Sequence, residues 1–87
     1  MLIMELELKN WLKDGKYRKL TLKLLSKQDL LSSEIAMKLE INRASMSRIL
    51  RDLKEKNLVD TTSGNSRTVT YSITLLGKKL LEGAEND

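Results

Sequence analysis

The sequence contains no cysteine, histidine, proline or phenylalanine in its 87 residues. Without cysteine and histidine, the chain lacks a thiolate nucleophile, an imidazole base, a disulfide bond and the ligands of a typical structural zinc site. Its acidic residues are scattered along the chain, so an active site built on paired carboxylates is also disfavoured. We therefore do not expect an enzyme, and we expect no catalytic residues, metal site or cofactor.

Long hydrophobic runs are also missing. The longest uninterrupted apolar stretch is residues 1–4, whereas a membrane-spanning helix needs about 20 apolar residues. The amino-terminal end has neither the basic start nor the extended apolar stretch of a secretory signal peptide. We expect a cytoplasmic protein with no membrane partner, made of one small domain whose limited core is helped by contacts with another chain.

Positive charge is concentrated in the first two thirds of the chain, although the net charge is only +4. Residues 9–27 hold seven Lys or Arg side chains against the single Asp14, a net charge of +6. Residues 43–56 hold five basic against two acidic side chains, a net charge of +3. Such clusters are typical of proteins that bind a polyanion such as nucleic acid, although a solvated lysine-rich helix face explains them equally well.

Most of the chain has the spacing of apolar residues that predicts helices. The predicted helices cover residues 16–27, 33–39 and 43–56, and a final helix begins at residue 75. Their predicted N-caps are Ser32 or Ser33, Asn42 and Thr74. Residues 1–14 fit two patterns, because they alternate like a strand and also place Met4, Leu8, Trp11 and Leu12 on one helical face. We favour a helix over about residues 5–13.

A β-hairpin is predicted after Asn57, where the sequence becomes rich in β-branched residues. Residues 58–62 and 68–73 have the composition of strands, and residues 63–66 between them read Ser-Gly-Asn-Ser, which favours a turn. The order of elements is then basic helix, short helix, tight turn, longer helix, hairpin and helix. This order predicts a winged helix-turn-helix, a mainly α fold with a small β-hairpin wing.

The spacing within residues 32–51 agrees with a helix-turn-helix. Ala36 is the small residue where the two helices touch, and the apolar residues that wedge them together are Ile35, Leu39, Ile41, Met46 and Ile49. The stretch SSEIAMKLEINRASMSRILRDLKEKNLVD, followed by RTVTYSITLLGKKLLE, resembles winged helix-turn-helix regulators of the MarR and ArsR type, particularly small archaeal members, over about residues 16–82. The chain departs from that family at Glu40 and Asn57, where glycine is usual.

The resemblance implies a sequence-specific regulator of transcription that binds double-stranded DNA. Helix geometry would place the recognition helix, residues 43–56, in the major groove, and the wing, residues 63–67, on the backbone or in the minor groove. Arg43 and Arg48 are the candidates for guanine, and Arg51 is the candidate for a phosphate. The full set of predicted DNA-binding residues is Asn42, Arg43, Ala44, Ser45, Ser47, Arg48, Arg51, Arg67, Lys16 and Lys19. Asn42 could serve only as a cap.

The two ends of the chain carry more large apolar residues than a single winged helix needs. We interpret residues 1–87 as one domain with a flanking dimerisation segment at 1–14, a core at 16–82 and a frayed tail at 83–87. The predicted dimerisation residues of a homodimer are Leu6, Leu8, Trp11, Leu12, Leu76 and Leu80. The alternative for residues 1–14 is that they fold back onto their own domain.

A protein–protein interaction module or scaffold, with weak or no DNA binding, is the alternative function, because the same fold serves both roles. The outward arginines at positions 43, 48 and 51 and Arg67 in the wing favour DNA. A scaffold would more often present apolar residues at these positions. The sequence identifies no small-molecule effector.

Overall fold

The computed structural model describes residues 2–65 and 68–85. These residues form five helices and three strands, which confirms the predicted mainly helical winged helix-turn-helix with its small hairpin. In chain order the described elements are α1 (Leu2–Lys13), α2 (Lys16–Leu25), β1 (Leu30–Leu31), α3 (Ser32–Leu39), α4 (Arg43–Glu55), β2 (Val59–Asn65), β3 (Thr68–Ile73) and α5 (Leu75–Glu85). None of the helices in these two ranges is long and apolar enough to span a membrane.

Helix α1 resolves the ambiguous start of the chain in favour of a helix, and it packs against α5 and α2. Leu12 is fully buried, and Lys79 Nζ of α5 lies 2.9 Å from Glu5 Oε1 of α1. The sequence-based assignment of Leu12 and Leu80 to a dimer interface is wrong, because both side chains are buried in this chain's own core and have no surface left for a partner.

The core is built from side chains of all five helices and of the first two strands. Its buried apolar members are Leu12, Leu22, Leu25, Leu30, Ile35, Ala36, Met46, Leu50, Leu53, Leu58, Val59, Leu80, Leu81 and Ala84. The predicted wedge between α3 and α4 is part of this core, with Leu39, Ile41 and Ile49 packed at its edge. Burial of the small Ala84 also corrects the predicted frayed tail, since α5 continues to Glu85, whose Oε1 lies 2.9 Å from Lys23 Nζ. Residues 86 and 87 of that tail lie outside the described residues.

Two of the three predicted N-caps, Asn42 and Thr74, are confirmed by hydrogen bonds of their side chains. Asn42 Oδ1 accepts a hydrogen bond from the Ser45 N–H at 2.8 Å, and Thr74 Oγ1 accepts one from the Gly77 N–H at 3.0 Å. The prediction of Ser32 or Ser33 as the cap of α3 is wrong, because the helix begins one residue earlier than expected. Its N-cap is Leu31, whose N–H donates to Glu34 Oε1 at 2.8 Å and is satisfied from within the first turn.

Helices α3 and α4 end in the same way, with a non-glycine residue in the left-handed conformation. Glu40 has φ 56° and Asn57 has φ 63°. In each case the N–H of the following residue reaches back into the helix: Ile41 donates to the Ala36 carbonyl at 3.1 Å, and Leu58 donates to the Leu53 carbonyl at 3.0 Å. At the two positions where the family usually has glycine, Glu40 and Asn57 therefore adopt the left-handed backbone conformation that favours glycine.

The three strands form an antiparallel sheet in the order β1-β3-β2. The predicted hairpin is confirmed, with Val59 opposite Ile73 at its base and a register irregularity between residues 63 and 65 near its tip. Strand β1 is an addition that the sequence did not predict, since residues 30 and 31 have the composition of a short apolar link. Leu30 lies opposite Tyr71, which attaches the start of α3 to the wing.

Candidate nucleic-acid interface

Helix α4 has one buried and one exposed side. Met46, Leu50 and Leu53 are buried, and Ile49 lies at the edge of the core. The predicted DNA-binding residues of this helix and its cap are all exposed: Asn42, Arg43, Ala44, Ser45, Ser47, Arg48 and Arg51. At 100° per residue, Arg48 and Ala44 lie opposite the buried stripe, whereas Arg43 and Ser47 lie on the flank of the helix nearer to it. The helix therefore presents a broad polar face that carries three arginines.

A cleft separates the first turns of α3 and α4. It has a volume of about 250 Å³ and is lined by Ser32, Ser33, Arg43, Met46 and Ser47. Three serines and one arginine thus line a cleft beside the amino-terminal end of α3, where the helix dipole is positive. Hydroxyl and guanidinium donors are suited to a phosphate group. The two serines were predicted only as caps, and their place in this cleft depends on the angle between the helices, which the sequence does not express.

The wing is connected to α4 through a side chain. Lys54 Nζ, in the last turn of α4, donates a hydrogen bond to Thr61 Oγ1 of β2 at 3.0 Å. This contact links the recognition helix to the strand that leads towards the hairpin tip. Ser66 and Arg67, which belong to the predicted wing contact, lie outside the described residues.

The three basic residues at the start of α2 all face solvent at least in part, and one of them, Arg18, also contacts another helix. Lys16 is exposed and Lys19 is half-buried. Arg18 is held against α1, because its guanidinium carbon lies 4.0 Å from the centroid of the Trp11 ring and its Nη1 donates to the Trp11 carbonyl at 2.6 Å. Gly15 leaves room for this arrangement, since a Cβ there would overlap the aliphatic part of Arg18.

The predicted dimerisation residues do not form one patch. Leu6 is 56% exposed, on the side of α1 that faces solvent. Leu8, Trp11 and Leu76 are half-buried and line a different cleft, between α1, the end of α4 and the start of α5. With Leu12 and Leu80 in the core, only Leu6 of the six presents most of its side chain to a partner.

Metal binding has no candidate site in the part of the chain that the structure describes. Among residues 2–65 and 68–85, no group of three or more Asp or Glu side chains is arranged to hold a metal ion. The geometry of the site is that of a charged helix face with a hydroxyl-lined cleft beside it.

The comparison with protein families identifies the type of helix-turn-helix. Residues 16–61, just over half of the chain, match the family described as bacterial regulatory protein, arsR family. The chain belongs to the arsR family. The matched segment of this arsR-family chain contains α2, β1, α3, α4 and the start of β2, and so includes the helix that carries the three exposed arginines. No curated protein matches the chain significantly.

Solved structures with the same fold include three bacterial proteins. ZitR of Lactococcus lactis, wild type in complex with DNA, is 25% identical with a TM-score of 0.72, over 80% of this chain and 49% of ZitR. AdcR of Streptococcus pyogenes, the adhesin competence repressor, is 22% identical with a TM-score of 0.77, over 83% of this chain and 54% of AdcR. YusO of Bacillus subtilis is 24% identical with a TM-score of 0.77, over 83% of this chain and 53% of YusO.

The arsR-family chain thus spans about half the length of these proteins. The likeness to AdcR and YusO, below 25% identity, shows the fold alone. ZitR is a zinc-responsive MarR family member. The likeness to its fold and the match to the arsR family together confirm the resemblance to regulators of the MarR and ArsR type. None of these structures supports the narrower resemblance to archaeal members.

Proposed function

We propose that this chain is a sequence-specific DNA-binding regulator of transcription that works in the cytoplasm and has no catalytic activity. The observation that carries the proposal is the polar face of α4, on which Arg43, Arg48 and Arg51 are all exposed to solvent. Membership of the arsR family and the fold shared with ZitR, a protein solved in complex with DNA, support it. An α-helix with such a face fits the major groove of B-DNA.

Arg48 is the proposed base-reading residue. It projects from the side of α4 opposite Met46, Leu50 and Leu53, so it is the arginine that reaches furthest from the core when this helix enters a groove. Its guanidinium group can donate two parallel hydrogen bonds to O6 and N7 of one guanine. Arg51 is one turn further along the helix, and we assign it to a phosphate.

Arg43 changes role in our proposal. The sequence favoured a guanine contact, but Arg43 lines the cleft with Ser32, Ser33 and Ser47, in which the donors suit a phosphate group. We therefore assign Arg43 to the DNA backbone. Lys16 and Lys19 of α2 are proposed phosphate contacts next to the main site, and Arg67 is the proposed contact of the wing.

We further propose that the regulator acts as a homodimer. The support is two exposed apolar side chains, Leu6 of α1 at 56% and Leu75 of α5 at 84%. Pairing of α1 and α5 with the same helices of a second copy about a two-fold axis would cover them. It would also set two recognition helices about one DNA turn apart, roughly 34–36 Å, and so favour a pseudo-palindromic operator.

Selection of bound sequences from a random pool of DNA duplexes, at about 100 mM salt, tests the proposal. We expect a single enriched motif. Arg48→Ala should weaken specific binding by about 1–3 kcal/mol and change the ranking of bases at one position. Arg43→Ala and Lys19→Ala should instead lower affinity for all sequences alike and reduce the salt slope by about one unit.

Lys27→Ala is the matched control, because Lys27 is an exposed cation that lies beyond the end of α2 and outside the proposed interface. It should leave both the motif and the salt slope unchanged. If no motif is enriched, the chain is an interaction module and not a sequence-specific regulator. An unchanged ranking of sites with Arg48→Ala would show that another residue reads the bases.

A further inference from the structure

The cleft between α1, the end of α4 and the start of α5 is separate from the proposed DNA interface. Its volume is about 350 Å³, within the range of small-molecule sites in proteins. Its apolar part consists of Leu8, Trp11 and Leu76. Its polar part consists of Glu7, Glu55, Lys56 and Asn57. An apolar body could therefore lie against the indole ring while a charged group meets the carboxylates.

The cleft already contains a positive group that belongs to the protein. Lys56 Nζ lies 5.5 Å from the centroid of the Trp11 ring, within the distance at which an aromatic face attracts a cation. Lys56 is the C-cap of α4, so its ammonium group is near the negative end of that helix dipole. Arg18 also contacts the Trp11 ring, at 4.0 Å, but it does not line the cleft.

The two carboxylates of the cleft have no cationic partner among the described residues. Neither Glu7 nor Glu55 forms an ion pair or a side-chain hydrogen bond within residues 2–65 and 68–85. Over the same residues, the Lys56 ammonium forms no ion pair or hydrogen bond, and its ring contact is the one with Trp11. The cleft thus combines two unpaired negative charges with an aromatic ring that has the Lys56 ammonium 5.5 Å from its centroid.

We propose that this cleft binds a small organic cation with an aromatic body, which displaces the Lys56 ammonium from Trp11. A quaternary ammonium group suits the site, since it interacts with an aromatic face and gives up little hydration. The carboxylates of Glu7 and Glu55 and the carboxyl-terminal end of α4 favour positive charge at the same place. An organic anion would instead meet two negative side chains for each positive one.

Occupation of the cleft would join three parts of the fold that are distant in sequence. Trp11 belongs to α1, residues 55–57 are the end of α4 and the start of its connection to β2, and Leu76 belongs to α5. A ligand held between them stabilises the folded chain by mass action. An effect of the ligand on DNA binding would rest on the proposed function, whereas binding to the cleft does not, so the two are measured separately.

Trp11 provides a direct readout, because it is the only tryptophan of the chain. We expect benzyltrimethylammonium to change the Trp11 fluorescence saturably, with a Kd of about 1 mM, and to raise the melting temperature. Benzoate and benzyl alcohol, which have a similar body with negative or no charge, should bind more weakly. No saturable change at up to about ten times that concentration, or tighter binding of benzoate, would overturn the proposal.

Variants of the charged residues should change the ligand affinity in opposite directions at a cation site and at an anion site. Lys56→Gln removes the internal competitor and should strengthen benzyltrimethylammonium binding about two- to fivefold. The double variant Glu7→Gln, Glu55→Gln should weaken it by a similar factor. Lys27→Gln makes the same charge change as Lys56→Gln away from the cleft, and Glu82→Gln removes one negative charge away from it; both should leave the Kd unchanged. Weaker cation binding in Lys56→Gln, with a normal circular dichroism spectrum, would contradict the displacement of this lysine.

Discussion

Two residues with full side chains hold a backbone conformation that favours glycine. Glu40, at φ 56°, and Asn57, at φ 63°, end the two helices of the helix-turn-helix with the same hydrogen bonds. Asparagine tolerates the left-handed region better than most residues, because its short side chain bonds to local backbone groups. A glutamate at φ 56° has no such compensation. The turn between α3 and α4 is therefore the more strained of the two.

We predict that Glu40→Gly increases the free energy of unfolding by about 0.5–1 kcal/mol, because it relieves this strain. Asn57→Gly should give a smaller gain, since asparagine fits the conformation already. Urea denaturation of the two variants and of the unchanged chain measures the difference. A loss of stability in Glu40→Gly would show that the glutamate side chain contributes more than its backbone conformation costs.

Gly77 is needed because α5 closely approaches Leu58, just after the end of the recognition helix. A Cβ at this position would overlap the Leu58 carbonyl oxygen, and a backbone atom cannot move aside as a side-chain end can. We predict that Gly77→Ala lowers the free energy of unfolding by about 1–3 kcal/mol.

Gly83→Ala is the matched control in the same helix. Its Cβ would meet only the end of the Lys9 side chain, at 3.8 Å, which is an ordinary contact. Because alanine favours helix, this variant should gain about 0.5–1 kcal/mol. Opposite signs for the two substitutions in thermal denaturation are the expected result. Equal and positive changes would mean that α5 shifts to accommodate the methyl group at position 77.

At the scale of elements, the helices and the hairpin could be predicted because their signals are local. The stripe of Met46, Leu50 and Leu53 lies within one helix, and the strand-like residues 58–62 and 68–73 are neighbours in the sequence. Strand β1 could not be predicted in this way, since two residues carry no periodicity and their partner, Tyr71, is distant in sequence. The contact of Arg18 with Trp11 was missed for a related reason: a basic residue near Lys16 and Lys19 gives no sign that it turns inward.

Helix α1 is an integral element, and this changes what its removal should do. If residues 1–14 served only as a dimerisation segment, a chain lacking residues 1–12 would fold as a monomer. Because Leu12 is fully buried and Trp11 holds Arg18, we predict that this truncation lowers the melting temperature strongly or prevents folding. Circular dichroism on heating provides the measurement. A truncated chain with unchanged stability would show that α1 contributes little to the core.

At the scale of the whole molecule, the proposed dimer is best tested by a substitution on the surface. Leu6→Gln changes an exposed side chain and leaves the core intact. In light scattering, we expect the particle to change from a dimer of two 10.0 kDa chains to a monomer. The variant should also bind a palindromic operator more weakly. Met37→Gln is the control, because Met37 is 77% exposed but belongs to α3. A full-length monomer that binds a single asymmetric half-site tightly would contradict the dimer.

The pairing of β1 with β3 has a consequence for the order in which the chain folds. Paired residues of the hairpin are between 3 and 14 positions apart, from Asn65 and Thr68 at the tip to Val59 and Ile73 at the base. Leu30 and Tyr71 are 41 positions apart, and the loop that their pairing closes contains both helices of the helix-turn-helix. Since closing a longer loop costs more chain entropy, we expect the hairpin to form first and β1 to attach last. Detachment of β1 would then be an early step of unfolding, one that releases the start of α3 while the wing is still formed.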